Sequence, residues 1–387
     1  MSVDEVPGAA VAAAVSAGVG ATVGVEEEFH LLDPGTAELT PGAQEVLAHL
    51  DQPEEAQPEL LRSVVETATP VCRSLAEVAT ELGTARNRVA EACTRAGLWV
   101  AAAGTVPDGG ARAVAVYPAR RYTRMAVEYR QLVEEQVVCA CQIQVGVPDR
   151  ELAVAACGRV RIWLPVLLAL SASSPFYRDA DTGYSSYRSL VWSRWPTAGP
   201  PEPFSSAAEY DSLVEALTGC GVIADPGMVY FDARPSARYA TVEIRVADAC
   251  PRVDDAVLLA GLARAMVTTA VAEEMAGRPV PPARPELVRA ATWRAARSGM
   301  SGDLIDLREP RAVPARVLLD GFLADLEPAL RATGDAGAVR HLLESFLARG
   351  TSAARQRATY ARRGSLHDVV TDLVAETAIA PSAVDGW

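Results

Sequence analysis

The order of strand-like and helix-like segments predicts an α+β fold, in which helices cover one face of a largely antiparallel sheet. Strand-like segments with alternating apolar and polar residues lie in the early and central parts of the 387-residue chain. Helix-like segments separate them, and after about residue 277 the periodicity is only helical. Because 50% of the residues are hydrophobic and 22% are charged, the chain can form one large core or two smaller ones.

Apolar periodicity and turn-forming residues define the individual elements. The predicted strands cover residues 22–32, 60–69, 98–104, 138–147, 227–232 and 240–247. The predicted helices cover residues 74–96, 119–136, 150–171, 206–217, 254–275, 285–297, 314–330, 336–348 and 366–375. With a junction at the proline-rich stretch 277–285, we predict a poorly ordered N-terminal extension at 1–20, a core at 21–277, and a helical C-terminal part at 278–387 packed on the core.

Composition excludes several classes of mechanism. The formal net charge of −13 argues against a nucleic-acid partner, because phosphate backbones are bound by basic surfaces. All 36 basic side chains are arginines, which rules out a lysine Schiff base, a P-loop lysine and a kinase-type strand lysine. Codon bias in a GC-rich genome would also explain the missing lysines. In either case, any phosphate chemistry relies on arginine, main-chain N–H groups and metal ions.

The cysteines and the apolar segments indicate the compartment. The seven cysteines are scattered without a C-x-x-C pair, as expected for free thiols of a cytosolic protein. The N-terminal apolar stretch follows Asp4 and Glu5 instead of a basic segment, so we expect no signal peptide. The apolar run 162–172 is too short to cross a bilayer and contains Pro165. We therefore expect a cytoplasmic protein with no membrane partner.

The first acidic motif is Glu26-Glu27-Glu28, in the first predicted strand. Side chains two apart on a strand share a face, so Glu26 and Glu28 lie together and Glu27 points away. Two neighbouring carboxylates repel each other unless a cation lies between them, and Mg²⁺ prefers such oxygen ligands. A solvated acidic face on an exposed edge strand explains the same pattern without a ligand.

Two later motifs add further charged groups. Glu66 is the single acidic residue of segment 63–70, and it either faces solvent or meets a partner, because an unpaired buried carboxylate is costly. In the last predicted strand, Glu243 and Arg245 share one face, and Arg234 precedes them. An exposed cross-strand ion pair explains this arrangement. A metal ligand beside an arginine clamp for phosphate or carboxylate oxygens explains it equally.

Further segments extend these motifs along the chain: GVEEE at 24–28, VETATPVCR at 65–73, AGTVP at 103–107, RY at 121–122, LSASSP at 170–175, SSYR at 185–188, DARPS at 232–236 and TVEIRV at 241–246. In this order and spacing they resemble the bacterial carboxylate–amine ligases of the glutamate–cysteine ligase type 2 family. The resemblance covers the chain from about residue 22 to the C-terminal helices.

The resemblance implies a glutamine-synthetase-like catalytic fold, in which a curved antiparallel sheet carries inward-facing carboxylates that hold Mg²⁺ (or Mn²⁺) and ATP. Family members typically phosphorylate the γ-carboxylate of glutamate and let an amine displace the phosphate. For this chain, it implies a ligase catalytic core at residues 21–277 that forms an amide bond, by default a γ-glutamyl bond. The substrates would be small amino acids and amines, and assembly into a homo-oligomer is left open.

Carried over position by position, the resemblance gives roles to individual residues. The metal-binding carboxylates are Glu26, Glu28, Glu66 and Glu243. The catalytic arginines, which serve phosphates or the substrate carboxylate, are Arg188, Arg234 and Arg245. Nucleotide binding is assigned to Gln142, Gln144, Arg234 and Arg245.

One strand departs from the family pattern. Where the family usually has H-V-H before a glycine, this chain has Gln142-Ile143-Gln144 before Val145 and Gly146. Glutamine keeps a donor and an acceptor, but it cannot become positively charged and is a weaker metal ligand. Two matching replacements favour a retuned site over random loss. The alternatives are a catalytically inactive nucleotide-binding relative and a guanidino-kinase-like phosphotransferase.

Overall fold

An antiparallel sheet of seven strands forms the centre of the protein, for which a computed structural model describes residues 8–52, 56–107 and 115–383. The strands in chain order are β1 (Val23–Leu32), β2 (Gln57–Pro58), β3 (Val64–Ala68), β4 (Trp99–Ala101), β5 (Cys141–Gly146), β6 (Phe176–Tyr177), β7 (Ala180–Asp181), β8 (Ala233–Pro235), β9 (Thr241–Ile244), β10 (Asp303–Asp306) and β11 (Arg311–Pro314). The main sheet has the order β2-β3-β1-β5-β9-β8, and β4 pairs with the C-terminal part of β1. The pairs β6–β7 and β10–β11 form two small separate hairpins.

Helices make up most of the remaining described chain. They are α1 (Gly8–Ser16), α2 (Ala43–Ala48), α3 (Leu75–Arg95), α4 (Arg120–Tyr129), α5 (Gln131–Glu134), α6 (Arg150–Val160), α7 (Leu164–Ser171), α8 (Tyr187–Trp192), α9 (Ala207–Gly219), α10 (Val253–Met275), α11 (Pro285–Ser298), α12 (Ala315–Thr333), α13 (Ala336–Arg349), α14 (Ser352–Arg363) and α15 (Leu366–Thr377).

The pleat of the sheet separates an apolar face from a polar face. Val25 on β1, Ile143 on β5 and Ile244 on β9 are fully buried in the main hydrophobic core. The register places Glu26 opposite Gln142, so polar side chains of neighbouring strands lie side by side on the other face. The long helices α3 and α10 pack against this apolar face. Helices banked on an antiparallel sheet confirm the predicted α+β class.

The helix α10 is the main support of that apolar face. It contacts β1 and β5 of the sheet, and it also contacts α3, α6, α12 and α13. Within the described part of the chain it is the one single helix long and apolar enough to cross a membrane, with a mean hydropathy of 1.5. The apolar stretch of this helix is entirely buried inside the protein. Its hydrophobicity is therefore used for packing against other elements.

Residues 8–20 contact the core, whereas the sequence led us to expect a poorly ordered extension at 1–20. Helix α1 buries Val11 and Ala14 and contacts α10 and α12. Beyond it, the N–H of Gly20 donates to the carbonyl of Gly146 at 2.8 Å, which joins the segment to β5. Small alanine side chains permit this close packing but give little periodic signal. Residues 1–7, with Asp4 and Glu5, and residues 384–387 lie outside the described residues.

Two predicted helices are each divided in two. The helix predicted at 119–136 is α4 and α5, and Arg130 between them has a φ of +51°. The helix predicted at 150–171 is α6 and α7, which meet at a bend of 69°. Pro165 lies in the first turn of α7, where its missing N–H costs no helical hydrogen bond. Apolar residues continue through both breaks, so the sequence pattern concealed them.

Several other predictions of strands and helices were wrong. No strand covers 227–232; Pro226–Met228 form a 3₁₀ helix, and strand β8 begins at Ala233. The part after residue 277 is not only helical, because the hairpin β10–β11 lies within it. The sequence also failed to predict the helices α2, α8 and α14. Elements of three to six residues, such as β8, α2 and α8, are too short to establish a period. Helix α14 has 12 residues, but most of them are alanine and arginine, so it lacks a clear apolar stripe.

Candidate active site

The polar face of the main sheet forms the floor of a cavity of about 1180 Å³. Strands β1, β3, β5, β8 and β9 contribute to the floor, and side chains from α4 and α8 contribute to the walls. All the candidate residues taken from the sequence line this cavity: Glu26, Glu28, Glu66, Gln142, Gln144, Arg188, Arg234, Glu243 and Arg245. The fold therefore brings together residues from distant parts of the chain.

Four glutamates on the β1–β3 side of the cavity form what we call the carboxylate half: Glu26, Glu28, Glu59 and Glu66. Glu28 and Glu66 lie directly opposite each other in the register. Burial, together with the charge of Glu59, raises the pKa of Glu28 to about 7. Burial and repulsion from the other three carboxylates raise the pKa of Glu66 well above its usual range. Glu66 is buried and meets a partner, since Gln57 Nε2 donates to its Oε2 at 2.7 Å.

The acidic face of β1 does not lie on an exposed edge strand, which was the alternative explanation. Strand β1 pairs with β3 and β4 and also with β5, and is thus an inner strand. Glu27 points to the opposite face and forms a buried ion pair with Arg86 at 2.5 Å. Arg86 also donates to the main-chain carbonyls of Cys250 and Pro251. Glu27 therefore connects β1 to the core, while Glu26 and Glu28 face the cavity.

Three residues on the β8–β9 side form what we call the arginine half: Arg234, Glu243 and Arg245. Arg234 donates from Nε and Nη2 to the two carboxylate oxygens of Glu243, at 2.9 and 3.1 Å. Arg245 forms a second ion pair with the same carboxylate. Burial opposes the charged form of Glu243, but the two arginines outweigh it and lower the pKa to about 2. Glu243 is 3% exposed, so this is not a surface ion pair.

Gln142 on β5 connects the two halves, and Gln144 connects the carboxylate half to the start of β9. Gln142 Nε2 donates to Glu28 Oε1 at 3.1 Å, and its carbonyl oxygen accepts from Arg245. Gln144 donates to Glu26 at 3.2 Å and accepts from the threonine hydroxyl at the start of β9 at 2.6 Å. Each amide therefore donates to a carboxylate of β1 and accepts from a side chain of β9 or of the residue directly after it. A doubly protonated histidine could not do this, because it has no acceptor.

Arg188 reaches the cavity from α8 and is only 2% exposed. Its Nη1 and Nη2 atoms donate to the main-chain carbonyls of Val246 and Arg245, both at 3.2 Å. The guanidinium carbons of Arg188 and Arg245 lie 5.8 and 5.6 Å from the centre of the Trp192 ring. An aromatic face attracts cations, so this ring supports both arginines.

Sequence reasoning missed one carboxylate and the aromatic wall. Glu59 directly follows the two-residue strand β2, where no periodicity marks it, and Tyr122 Oη lies 3.5 Å from its carboxylate. The rings of Trp192 and Tyr230 lie 4.9 Å apart in the same cavity wall. Trp192 belongs to the six-residue helix α8, which the sequence pattern did not predict. An apolar residue in a short unpredicted element carries no signal of a site.

The carboxylate half fits a divalent cation better than the arginine half does. A cation near Glu28 and Glu66 would relieve the repulsion that contributes to the raised pKa of Glu66. Among the described residues, no three carboxylate, histidine or cysteine side chains converge on one metal position. Mg²⁺ usually takes one or two protein carboxylates and completes its shell with water and phosphate oxygens. Glu243, which the resemblance gives as a metal ligand, already has two cationic partners.

Comparison with known proteins places the chain in a family. A family model described as glutamate–cysteine ligase family 2 matches residues 22–372. The chain belongs to glutamate–cysteine ligase family 2. A Frankia casuarinae relative, provisionally named glutamate–cysteine ligase 2-2, is 50% identical over 361 residues, covering 93% of this chain but 42% of the relative. A provisionally named glutamate–cysteine ligase 2-2 from Frankia alni is 47% identical over 372 residues, covering 92% of this chain and 97% of the relative.

Solved structures share the fold of this family member. A bifunctional glutathione synthetase from Pasteurella multocida aligns with a TM-score of 0.68 and 16% identity, over 96% of this chain and 53% of that chain. A glutamate–cysteine ligase from Francisella tularensis in complex with AMP aligns with a TM-score of 0.67 and 11% identity, over 93% and 89%. The family and the fold class predicted from the sequence are thereby confirmed.

Proposed function

We propose that this member of glutamate–cysteine ligase family 2 is an ATP-dependent carboxylate–amine ligase that forms an amide bond through an acyl phosphate. The observation that carries the proposal is a single cavity in which glutamates suited to Mg²⁺ lie across from arginines suited to phosphate. The arginine half holds two guanidinium groups and one carboxylate, so it keeps a net positive charge for an anion. Nucleotide use is supported by the AMP bound to the Francisella tularensis ligase.

The proposed reaction consists of two displacements. An oxygen of the substrate carboxylate attacks the γ-phosphorus of ATP, the bond to the bridging oxygen breaks, and ADP leaves. The amine nitrogen then attacks the acyl carbon, inorganic phosphate leaves, and the nitrogen loses a proton. Mg²⁺ held by Glu28 and Glu66 would supply neutralisation of the charge on the phosphates during the first step.

The residues of the chain bind and orient the reactants. Arg188 and Arg245 present positive charge from one wall, where their forked donors match phosphate or carboxylate oxygens. Glu243 accepts from both Nε and Nη2 of Arg234 and thereby fixes the plane of that guanidinium. The ring of Trp192 lies beside both guanidinium groups, and a cation at an aromatic face is attracted to it.

The substrate class is the less defined part of the proposal. Glutamate with a γ-glutamyl product is the default for the family, and small amino acids and amines are the proposed partners. Gln142 contacts both halves and Gln144 contacts Glu26, so their replacement of the histidines usual in the family favours a different acid or amine. We place this reaction in the cytoplasm.

Product analysis tests the proposal directly. The purified chain is incubated with ATP, Mg²⁺ or Mn²⁺, glutamate and a pool of amines, and mass spectrometry identifies any amide. Release of ADP and phosphate that requires both an acid and an amine supports the ligase. A stoichiometric zinc content with no response to Mg²⁺ would contradict the carboxylate metal site.

A catalytically inactive nucleotide-binding protein is the second candidate. The ion pairs of Glu243 with Arg234 and Arg245 favour it, because they leave that carboxylate without a free oxygen for a metal. Such a protein would be stabilised thermally by Mg-ATP but would give no ADP with any acid and amine.

A further inference from the structure

A fully buried aspartate lies behind the cavity wall that carries Arg188. The Oδ2 atom of Asp248 accepts from Ser173 N at 2.9 Å and from Ser174 Oγ at 2.7 Å, and Oδ1 accepts from Ser186 Oγ at 2.8 Å. We propose that Asp248 is the positioning residue of Arg188: its carboxylate fixes the start of α8 and so the place of that guanidinium in the cavity. This inference rests on the proposed function, which gives Arg188 a substrate to contact.

Two serine hydroxyls connect Asp248 to the first turn of α8. Ser186 is the N-cap residue, and its Oγ accepts from the N–H of Ser189 at 3.3 Å. The Oγ atom of Ser174 accepts from the N–H of Arg188 itself at 3.0 Å. A hydroxyl has one proton, and each proton is donated to Asp248, which turns the lone pairs towards the helix amides. The carboxylate therefore orients both groups that hold the beginning of α8.

The guanidinium of Arg188 contacts the chain segment 245–248, which also contains Asp248. Its guanidinium donates to the carbonyls of Arg245 and Val246, and Nη1 lies 3.7 Å from Asp248 Oδ1. Arg188 is 2% exposed and Asp248 is 0% exposed. A buried guanidinium needs a counter-ion, because an unpaired buried charge is very costly. Asp248 thus holds the main chain of Arg188 through the serines and balances the charge of its side chain.

The absence of a side chain on Gly104 leaves space for the carboxylate of Asp248. A Cβ atom on Gly104 would lie 2.6 Å from both Cγ and Oδ2 of Asp248, a distance at which something must move. The N–H of Gly104 donates to Ser173 Oγ at 2.8 Å, so the same serine connects the glycine and the aspartate. Gly104→Ala should therefore displace Asp248 without removing its charge.

A matched control is needed, because any buried carboxylate can act on stability alone. Asp335 forms an ion pair with Arg264 at 3.3 Å, and both side chains are 6% exposed. This pair does not line the cavity. Asp335→Asn removes a comparable buried charge away from the cavity. Its effect on kcat/KM therefore measures what the loss of a buried ion pair does through stability alone.

The experiment compares Asp248→Asn and Asp335→Asn in the full chain, with ATP, glutamate and the amine pool as substrates. We expect kcat/KM to fall about 100-fold in Asp248→Asn, since a small misplacement of a binding group has effects of that size. The value for Asp335→Asn should stay within about twofold per folded molecule. In an Arg188→Ala background, Asp248→Asn should lower kcat/KM by less than about twofold more, because the two residues act as one unit.

Hydrogen exchange supplies a readout independent of turnover. The amides at the start of α8 should exchange faster in Asp248→Asn and in Gly104→Ala, but not in Asp335→Asn. If Asp248→Asn does not fold, Ser186→Ala replaces it in the same comparison. Equal losses in both aspartate variants, additive effects with Arg188→Ala, or unchanged α8 exchange would overturn the proposal. If the wild-type chain gives no amide, the proposed function fails, and the exchange pattern still decides the positioning.

Discussion

Two glutamates on the same polar face of the sheet have pKa values that are shifted in opposite directions. In the carboxylate half, burial and the charge of Glu59 raise the pKa of Glu28 to about 7. In the arginine half, burial also opposes the charged form of Glu243, but Arg245 and Arg234 lower its pKa to about 2. Burial is common to both, so the neighbouring charges decide the sign of the shift.

The difference separates two tasks within one cavity. The carboxylate half contains like-charge repulsion that the proposed cation would relieve. The arginine half has its carboxylate neutralised by two guanidinium groups, and the remaining positive charge is available to an anion. Gln142 contacts both halves and carries no charge, so it does not disturb either.

The largest effect expected is on turnover in the carboxylate half. Glu28→Gln and Glu66→Gln should each lower kcat by at least roughly 10²–10³-fold, as for removal of a group that stabilises transition-state charge. At pH 5, where both carboxyls are protonated in the folded protein, the free energy of unfolding should stay within about 1 kcal/mol of wild type. The exposed Glu344→Gln serves as the control. Cooperative loss of folding in either variant would instead make these residues structural.

The second effect is a difference in the free energy of unfolding between variants of the two halves. Glu243→Gln should lower the free energy of unfolding by about 3 kcal/mol, because it leaves Arg234 and Arg245 buried without their carboxylate. Urea denaturation of Glu243→Gln beside Glu66→Gln measures the contrast. Equal stability changes in the two variants would show that the halves do not differ as described.

The third effect is a pH dependence. The pKa of Glu28 is about 7 when folded and about 4.5 in an unfolded chain, so the folded protein binds this proton more tightly. Its stabilising contribution is therefore complete below pH 4.5 and is lost as the pH rises through 7. Wild type should lose on the order of 2–3 kcal/mol relative to Glu28→Gln between pH 5 and pH 8.

Mg²⁺ and Glu243 sharpen this pH experiment. Added Mg²⁺ should restore part of the loss at pH 8 and little at pH 5, where protons already occupy the site. Glu243, with a pKa of about 2, stays charged over the whole range. The stability difference between wild type and Glu243→Gln should therefore be the same at both pH values, and a pH-dependent difference would contradict the assignment.

The smallest effect concerns the strand between the halves. Gln142→His with Gln144→His should introduce an inflection in the activity profile near a histidine pKa of about 6.5, and should change the amine preference a few-fold. Wild type should have the flatter profile between about pH 6 and pH 8. A comparison of the product spectra and the pH profiles of wild type and the double variant tests this prediction. An unchanged substrate range with an unchanged profile would mean that the two amides only join strands.

The alternation of side chains was readable from the sequence because it is local. A strand has a period of two, so Glu26 with Glu28, and Glu243 with Arg245, had to share a face wherever the strands lay. The order and spacing of the motifs gave the family, which the family comparison confirms over residues 22–372. A long helix such as α3 followed from its periodicity in the same way.

Only the tertiary structure decided what these residues do to one another. The register that sets Glu28 opposite Glu66 joins separate segments, and Glu59 lines the cavity from the short connection between β2 and β3, which has no periodic signal. Arg188 depends on a six-residue helix and a buried aspartate sixty positions later in the chain. Burial and neighbouring charge are properties of contacts between distant residues, so sequence alone could place the glutamates on one face but could not say which one would be neutralised by arginines.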